Sequence, residues 1–191
     1  MQSSYKIIQE CITATKANVE RALRKFSSLS EKQLNWKPGP DSWSVGECIS
    51  HLINSNALYL SKIESILTSN TSAPAKDFSY KQSFVGKMIV KGVDPANVRK
   101  SKTFKVFFPD ASDIQKSIID DYAASSKKFI ELANKLRHLD LTQLKLSSPV
   151  NKILRMNLGD PLIIIPKHDE RHLNQAESVM SQIEFPIKCR Q

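Results

Sequence analysis

The chain carries only four histidines, and three of them stand where they could hold a metal ion. His168 and His172 lie four positions apart in the stretch PKHDERHLNQ. On a helix that spacing sends both rings off one face about one turn apart, which suits the gripping of a single cation. His51 closes a second stretch, WSVGECISH. Three neutral imidazoles leave a divalent ion with an open position, as catalytic sites do, whereas structural zinc sites close with four protein ligands and favour cysteine. A water on that position is acidic enough to serve as hydroxide near neutral pH, and a thiol there loses its proton. Three imidazoles suit zinc, nickel, copper or iron. The zinc-protease pattern H-E-x-x-H is excluded, because Asp169, one methylene shorter, replaces the glutamate that would act as general base.

These side chains need helices to present them. Residues 4–27 place Tyr5, Ile8, Ile12, Val19, Ala22, Leu23 and Phe26 mostly three and four apart, with Thr15 in the one gap, the period of an amphipathic helix. The turn NWKPGPDSW follows, and Ser44 with Glu47 forms a capping box that opens a second helix over 44–69. Periodicity returns at Ile114, Ile118, Tyr122, Phe129, Ala133 and Leu136, which predicts a third helix over 111–136. Asp160 as N-cap and Pro161 at the first helical position open a fourth, over 161–183. No strand pattern or internal repeat is evident. The expected architecture is one all-α domain over 1–191, an up-down-up-down four-helix bundle with a long connection between its second and third helices.

In such a bundle the second and fourth helices run parallel. His51 lies seven residues past Ser44 and His168 eight past Asp160, so the two sit ~10 and ~12 Å into their helices and meet at one level. Pro166 cannot donate to the Leu162 carbonyl and should bend the fourth helix just before His168, either as a tolerated kink or to open room beside the ion. His138, at the end of the third helix, reads as a surface residue favoured near a helix C-terminus.

The composition, 40% hydrophobic and 25% charged, is that of a folded globular chain and excludes a largely disordered one. No apolar run approaches the roughly 18 to 20 residues of a membrane span, and the first residues lack a signal-peptide core, so a cytoplasmic protein is expected. Cys11, Cys48 and Cys189 form no C-x-x-C pair and read as reduced, mostly buried thiols. The net charge is +9, and residues 70–110 hold eight basic residues against three acids. This connection lacks a recognition helix or an RNA-binding signature, so nucleic acid is not the expected partner. It is interrupted by Pro74, Gly86, Gly92, Pro95 and Pro109, with room for one short helix in SFVGKMIVK. Its apolar patches FVGKMIV and FKVFF need cover. They are expected either to pack across one end of the bundle as a basic rim or to support a homodimer.

With those residues in view, the chain resembles the DinB-like superfamily of metal-binding four-helix bundles, which includes YfiT-like hydrolases and thiol S-transferases that use mycothiol or bacillithiol. The resemblance rests on NWKPGPDSWSVGECISHL and LGDPLIIIPKHDERHLNQ and on the order of elements between them. It implies that the metal ligands are His51, His168 and His172, in agreement with the helical geometry, and that the ion is divalent, zinc or nickel foremost. Trp43 and Trp36 look like the family's anchors of the turn before the second helix. Glu47 either completes the cap or orients an imidazole. Asn54 and Gln175 either line the open side of the site or belong to an exposed polar face. The implied activity is metal-dependent, a thiol transfer or the hydrolysis of a small substrate, with no catalytic side chain assigned. The alternative is a non-catalytic metal-binding or stress-related module whose ion braces the second and fourth helices.

Overall fold

The structure is a computed structural model that describes residues 2–69, 78–97, 104–109 and 113–186. In chain order its elements are β1 (Gln2–Ser3), α1 (Ser4–Phe26), the single turn α2 (Glu31–Leu34), α3 (Val45–Ser69), β2 (Ser79–Tyr80), α4 (Phe84–Val93), α5 (Ile118–Lys135), β3 (Lys145–Ser147), β4 (Arg155–Asn157) and α6 (Asp160–Met180). Short 3-10 turns occupy Lys105–Phe107 and Leu136–His138. No described helix is long and apolar enough to cross a membrane.

The helices α1 and α3 start and stop close to where the sequence predicts. Ser3 accepts from the Lys6 amide at the head of α1, and Arg24 and Lys25 stand in its last turn, where cations complement the helix dipole. The capping box of α3 is complete: the Glu47 amide donates to Ser44 Oγ at 3.1 Å and the Ser44 amide to Glu47 Oε2 at 2.8 Å. Lys37 Nζ lies 2.7 Å from Glu47 Oε1, so this carboxylate serves the cap and an ion pair and orients no imidazole.

The third long helix begins later than the expected residue 111. Ile114 keeps the apolar phase, but its backbone is taken by a side chain: its amide donates to Asn35 Oδ1 at 2.7 Å and its carbonyl accepts from Asn35 Nδ2 at 2.8 Å. Apolar period reports which face is buried and is blind to where the main-chain hydrogen bonds go. His138 is exposed at the end of the turn after α5, as expected.

In the bundle, α1 packs against α5 and α6, and α3 packs against the same two helices. Arg21 reaches Asn174 and Glu177 while Asn18 donates to the Pro166 carbonyl, so α1 and α6 are parallel. The Arg137 guanidinium lies over the Tyr5 ring, so α1 and α5 are antiparallel. Glu64 pairs with Lys128 at 3.0 Å, and Gly46 abuts Ile114, so α3 and α5 are parallel. Asn56 reaches Asp169 and the ring of His51 faces that of His172, so α3 and α6 are antiparallel. The order is therefore up, down, down, up. It replaces the expected up-down-up-down alternation and the parallel setting of the two histidine-bearing helices.

Because α3 ends and α5 begins at opposite poles, the connection between them has to travel the length of the bundle. Its described parts lie along the side: β2 pairs with β1, α4 packs on α6, and the turn at Lys105–Phe107 reaches α3. This replaces the expected cap across one end. Among its described basic residues, Lys81, Lys87, Lys91 and Lys105 are exposed; Lys76, Arg99, Lys100 and Lys102 lie outside the described residues. Val85, Ile89 and Val93 of α4 pack on the core, while Phe84 and Met88 face outward.

Two short antiparallel pairs, β1 with β2 and β3 with β4, were not expected. Strands of two or three residues are too short to display a period of two. Both meet at Asp160. Instead of capping α6, the Asp160 carboxylate is fully buried and accepts from the Tyr80 hydroxyl, from Ser83 Oγ at 2.6 Å and from the Asn157 amide at 2.7 Å. The Ser83 amide adds a contact at 3.2 Å. Space around this carboxylate is tight. A Cβ on Gly86 would lie 2.2 Å from the Asp160 carboxyl carbon, and one on Gly159 would lie 2.4 Å from the Tyr80 ring.

Apolar residues form two clusters, one at each pole. Between them runs a buried polar layer that includes Thr15 and Asn18 of α1, Ser55 and Asn56 of α3, Ser126 of α5 and Asp169 of α6.

Candidate metal centre

His51 stands on the second turn of α3, and His168 and His172 on consecutive turns of α6. Antiparallel packing brings them together because both positions lie at moderate depth from the same pole. His51 is six residues from the start of α3 and His172 eight from the end of α6, which is ~9 and ~12 Å along the respective axes. Ring centroids are 4.9 Å apart for His51 and His168, 4.4 Å for His51 and His172, and 4.6 Å for His168 and His172. One nitrogen from each ring lies within 4.8 Å of the others. His51 and His172 are buried, and His168 keeps part of its surface open.

The outward ring nitrogens of His51 and His172 have partners. His51 Nδ1 is 2.6 Å from the Phe107 carbonyl, and His172 Nδ1 is 2.8 Å from Gln175 Oε1. A carbonyl only accepts, so His51 Nδ1 carries the proton and its Nε2 keeps a lone pair. That Nε2 lies 3.1 Å from His168 Nε2. Two imidazole nitrogens bonded to one tetrahedral zinc at ~2.05 Å sit about 3.3 Å apart. The spacing therefore fits two nitrogens sharing one cation.

Burial depresses the pKa of all three. His51 is pulled below the ordinary imidazole range, with the Phe107 carbonyl opposing. His168 falls well below it, through burial first and then the nearby His172, His51 and Arg171. His172 is lowered to about 3 by burial and by His51, with the Gln175 acceptor working the other way. The rings are therefore neutral at physiological pH, the form in which imidazole binds a metal.

Other expected residues fall into place around this cluster. The Trp43 ring lies 4.8 Å from His51 and 5.8 Å from His172, so it walls the site, and it packs against the apolar cluster at that pole. Trp36 packs edge-on against Phe185 at 5.5 Å, in the apolar cluster at that pole. Asn54 Nδ2 donates to the Phe108 carbonyl at 3.1 Å, one residue beyond the carbonyl that meets His51. Asp169 is turned away: its carboxylate accepts from Asn56 Nδ2 and the Tyr122 hydroxyl, each at 3.0 Å. Phe107 was not singled out from the sequence. Its contribution is a backbone carbonyl, which every residue type offers, so no signal in the sequence marks it.

A family profile for the DinB superfamily matches residues 14–176, most of the chain, and spans all three histidines. The chain belongs to the DinB superfamily. Its largely helical build agrees with that membership. No curated protein and no solved structure shows significant similarity to this DinB chain. Among the described residues of this DinB protein, the trio is the one group of histidine, cysteine and acidic side chains placed to hold an ion.

Proposed function

We propose that this protein is a metal-dependent enzyme in which His51, His168 and His172 bind one divalent ion, zinc or nickel, through imidazole nitrogens. The reaction is a thiol transfer to an electrophile or the hydrolysis of a small substrate. The convergence of three neutral imidazoles from α3 and α6, with two Nε2 atoms 3.1 Å apart, carries this reading. When bound, such an ion supplies a Lewis acid on which water or a thiol loses its proton near neutral pH. The chain's own part is to hold the His51 and His172 rings in one tautomer, to wall the site with Trp43 and the Phe107 ring, and to keep carboxylates off the ligands. Among the described residues no side chain is placed as a general base.

A second reading has one observation in its favour: an ion here ties α3 to α6, helices far apart in sequence, so it can act as a brace without turnover. Elemental analysis of protein purified without a histidine tag tests the site. About one equivalent of zinc or nickel is expected in the wild type and none when all three histidines are changed to Ala; stoichiometric metal in that variant would overturn the assignment. Thiol-transfer and hydrolysis screens of the loaded protein then decide between enzyme and brace.

A further inference from the structure

We propose that Gln175 is a positioning residue for the metal centre, and that with the Phe107 carbonyl it forms a neutral outer shell committing His51 and His172 to bind through Nε2. This rests on the three-histidine reading above. Gln175 follows His172 by three residues, so its side chain lies beside that ring on α6, with Oε1 2.8 Å from Nδ1. An amide oxygen accepts only from an N–H, which places the proton on His172 Nδ1 and leaves Nε2 to face the cluster. The Phe107 carbonyl does the same for His51 at 2.6 Å. Each ring is thereby set in tautomer and in rotation about its Cβ–Cγ bond, the service that an outer shell gives to ligand histidines.

Both acceptors are uncharged. Carboxylates often stand in this place, where they make the imidazole more basic. The acid closest in sequence to the ligands, Asp169, is instead engaged by Asn56 and Tyr122. An ion held by these rings would keep its full positive charge among neutral donors, which would favour anionic partners over neutral ones.

The test is zinc affinity near neutral pH, by competition with a chromophoric chelator, for the full-length tag-free wild type and the variants Gln175→Leu, Gln175→Glu and His168→Ala. Outer-shell losses run from about 10- to 100-fold. Gln175 is exposed, so water takes over part of its role, and Gln175→Leu should weaken zinc binding about tenfold. Gln175→Glu should bind at least as tightly as the wild type, because a carboxylate accepts the same proton. The thermal midpoint of the metal-free protein should not change in either variant. Wild-type affinity in Gln175→Leu, or a loss in Gln175→Glu equal to that in Gln175→Leu, would overturn the role of Gln175. His168→Ala separates the two levels: if it loses zinc while Gln175→Leu does not, only the outer-shell proposal fails, and if it binds zinc as the wild type does, the three-histidine centre itself fails.

Discussion

Replacing Asp160 with Ala should cost this protein about 4 kcal/mol of folding stability, a figure that follows from who donates to the carboxylate. Its partners are the Tyr80 hydroxyl, the Asn157 amide, and the amide and hydroxyl of Ser83. Tyr80 is 4% exposed and Asn157 3%, so neither donor finds water when the acceptor is removed. A buried donor left without a partner costs about 1–3 kcal/mol, and two give about 4. Ser83 is only partly buried and recovers water, so it adds little. For a domain whose whole stability is about 5–15 kcal/mol, that is a large share. With a urea slope of about 2 kcal/mol per molar, the midpoint should fall by about 2 M. Asp160→Asn keeps one acceptor oxygen and should lose about half as much. Tyr80→Phe made on the Asp160→Ala background should cost less than on the wild type, because the hydroxyl is already unpaired. Chemical denaturation followed by far-UV circular dichroism measures all of these. A loss under about 1 kcal/mol for Asp160→Ala would refute the view that this carboxylate ties β2, β4 and α4 to the head of α6.

Gly86→Ala should destabilise the protein by about 1–3 kcal/mol, since the new Cβ meets the Asp160 carboxylate; an unchanged urea midpoint would mean that α4 shifts freely. The metal-free protein should lose stability as pH falls from about 7 to about 5, because unfolded imidazoles titrating near 6.5 take up protons that the buried folded rings, with pKa values depressed and that of His172 at about 3, refuse. Asp169, pushed up to about 7 by burial, acts in the opposite sense; it is common to the wild type and the triple histidine-to-Ala variant, so the variant's pH profile should be flatter, and identical profiles would count against neutral buried rings. Zinc at a hundred times its dissociation constant should raise wild-type stability by about 2.7 kcal/mol and leave the triple variant unchanged; an equal rise in both would place the bound ion elsewhere.

The sequence by itself determined the elements that depend on neighbours along the chain. The four amphipathic stretches, the Ser44–Glu47 cap and the pairing of His168 with His172 on one face are all properties of a 3.6-residue period, so they were legible before any packing was known. Membership of the trio was legible too, although the expected parallel run of α3 and α6 was wrong. A helix's apolar period states which side is buried and says nothing of which end points up. Antiparallel packing was decided by long-range contacts such as Asn56 with Asp169, and His51 still meets His172 because the two lie at similar distances from the opposite ends of their helices. Tertiary structure alone also decided that Asp160 is the hub of a buried network and not a cap, that Ile114 is held by Asn35 outside α5, and that the Phe107 carbonyl fixes the His51 tautomer. In each of these a backbone group or polar side chain finds at least one partner tens of residues away. Nothing in the local sequence distinguishes a serine, aspartate or carbonyl that will be so engaged from one that will face water, because the choice is made by what the folded chain brings within about 3 Å.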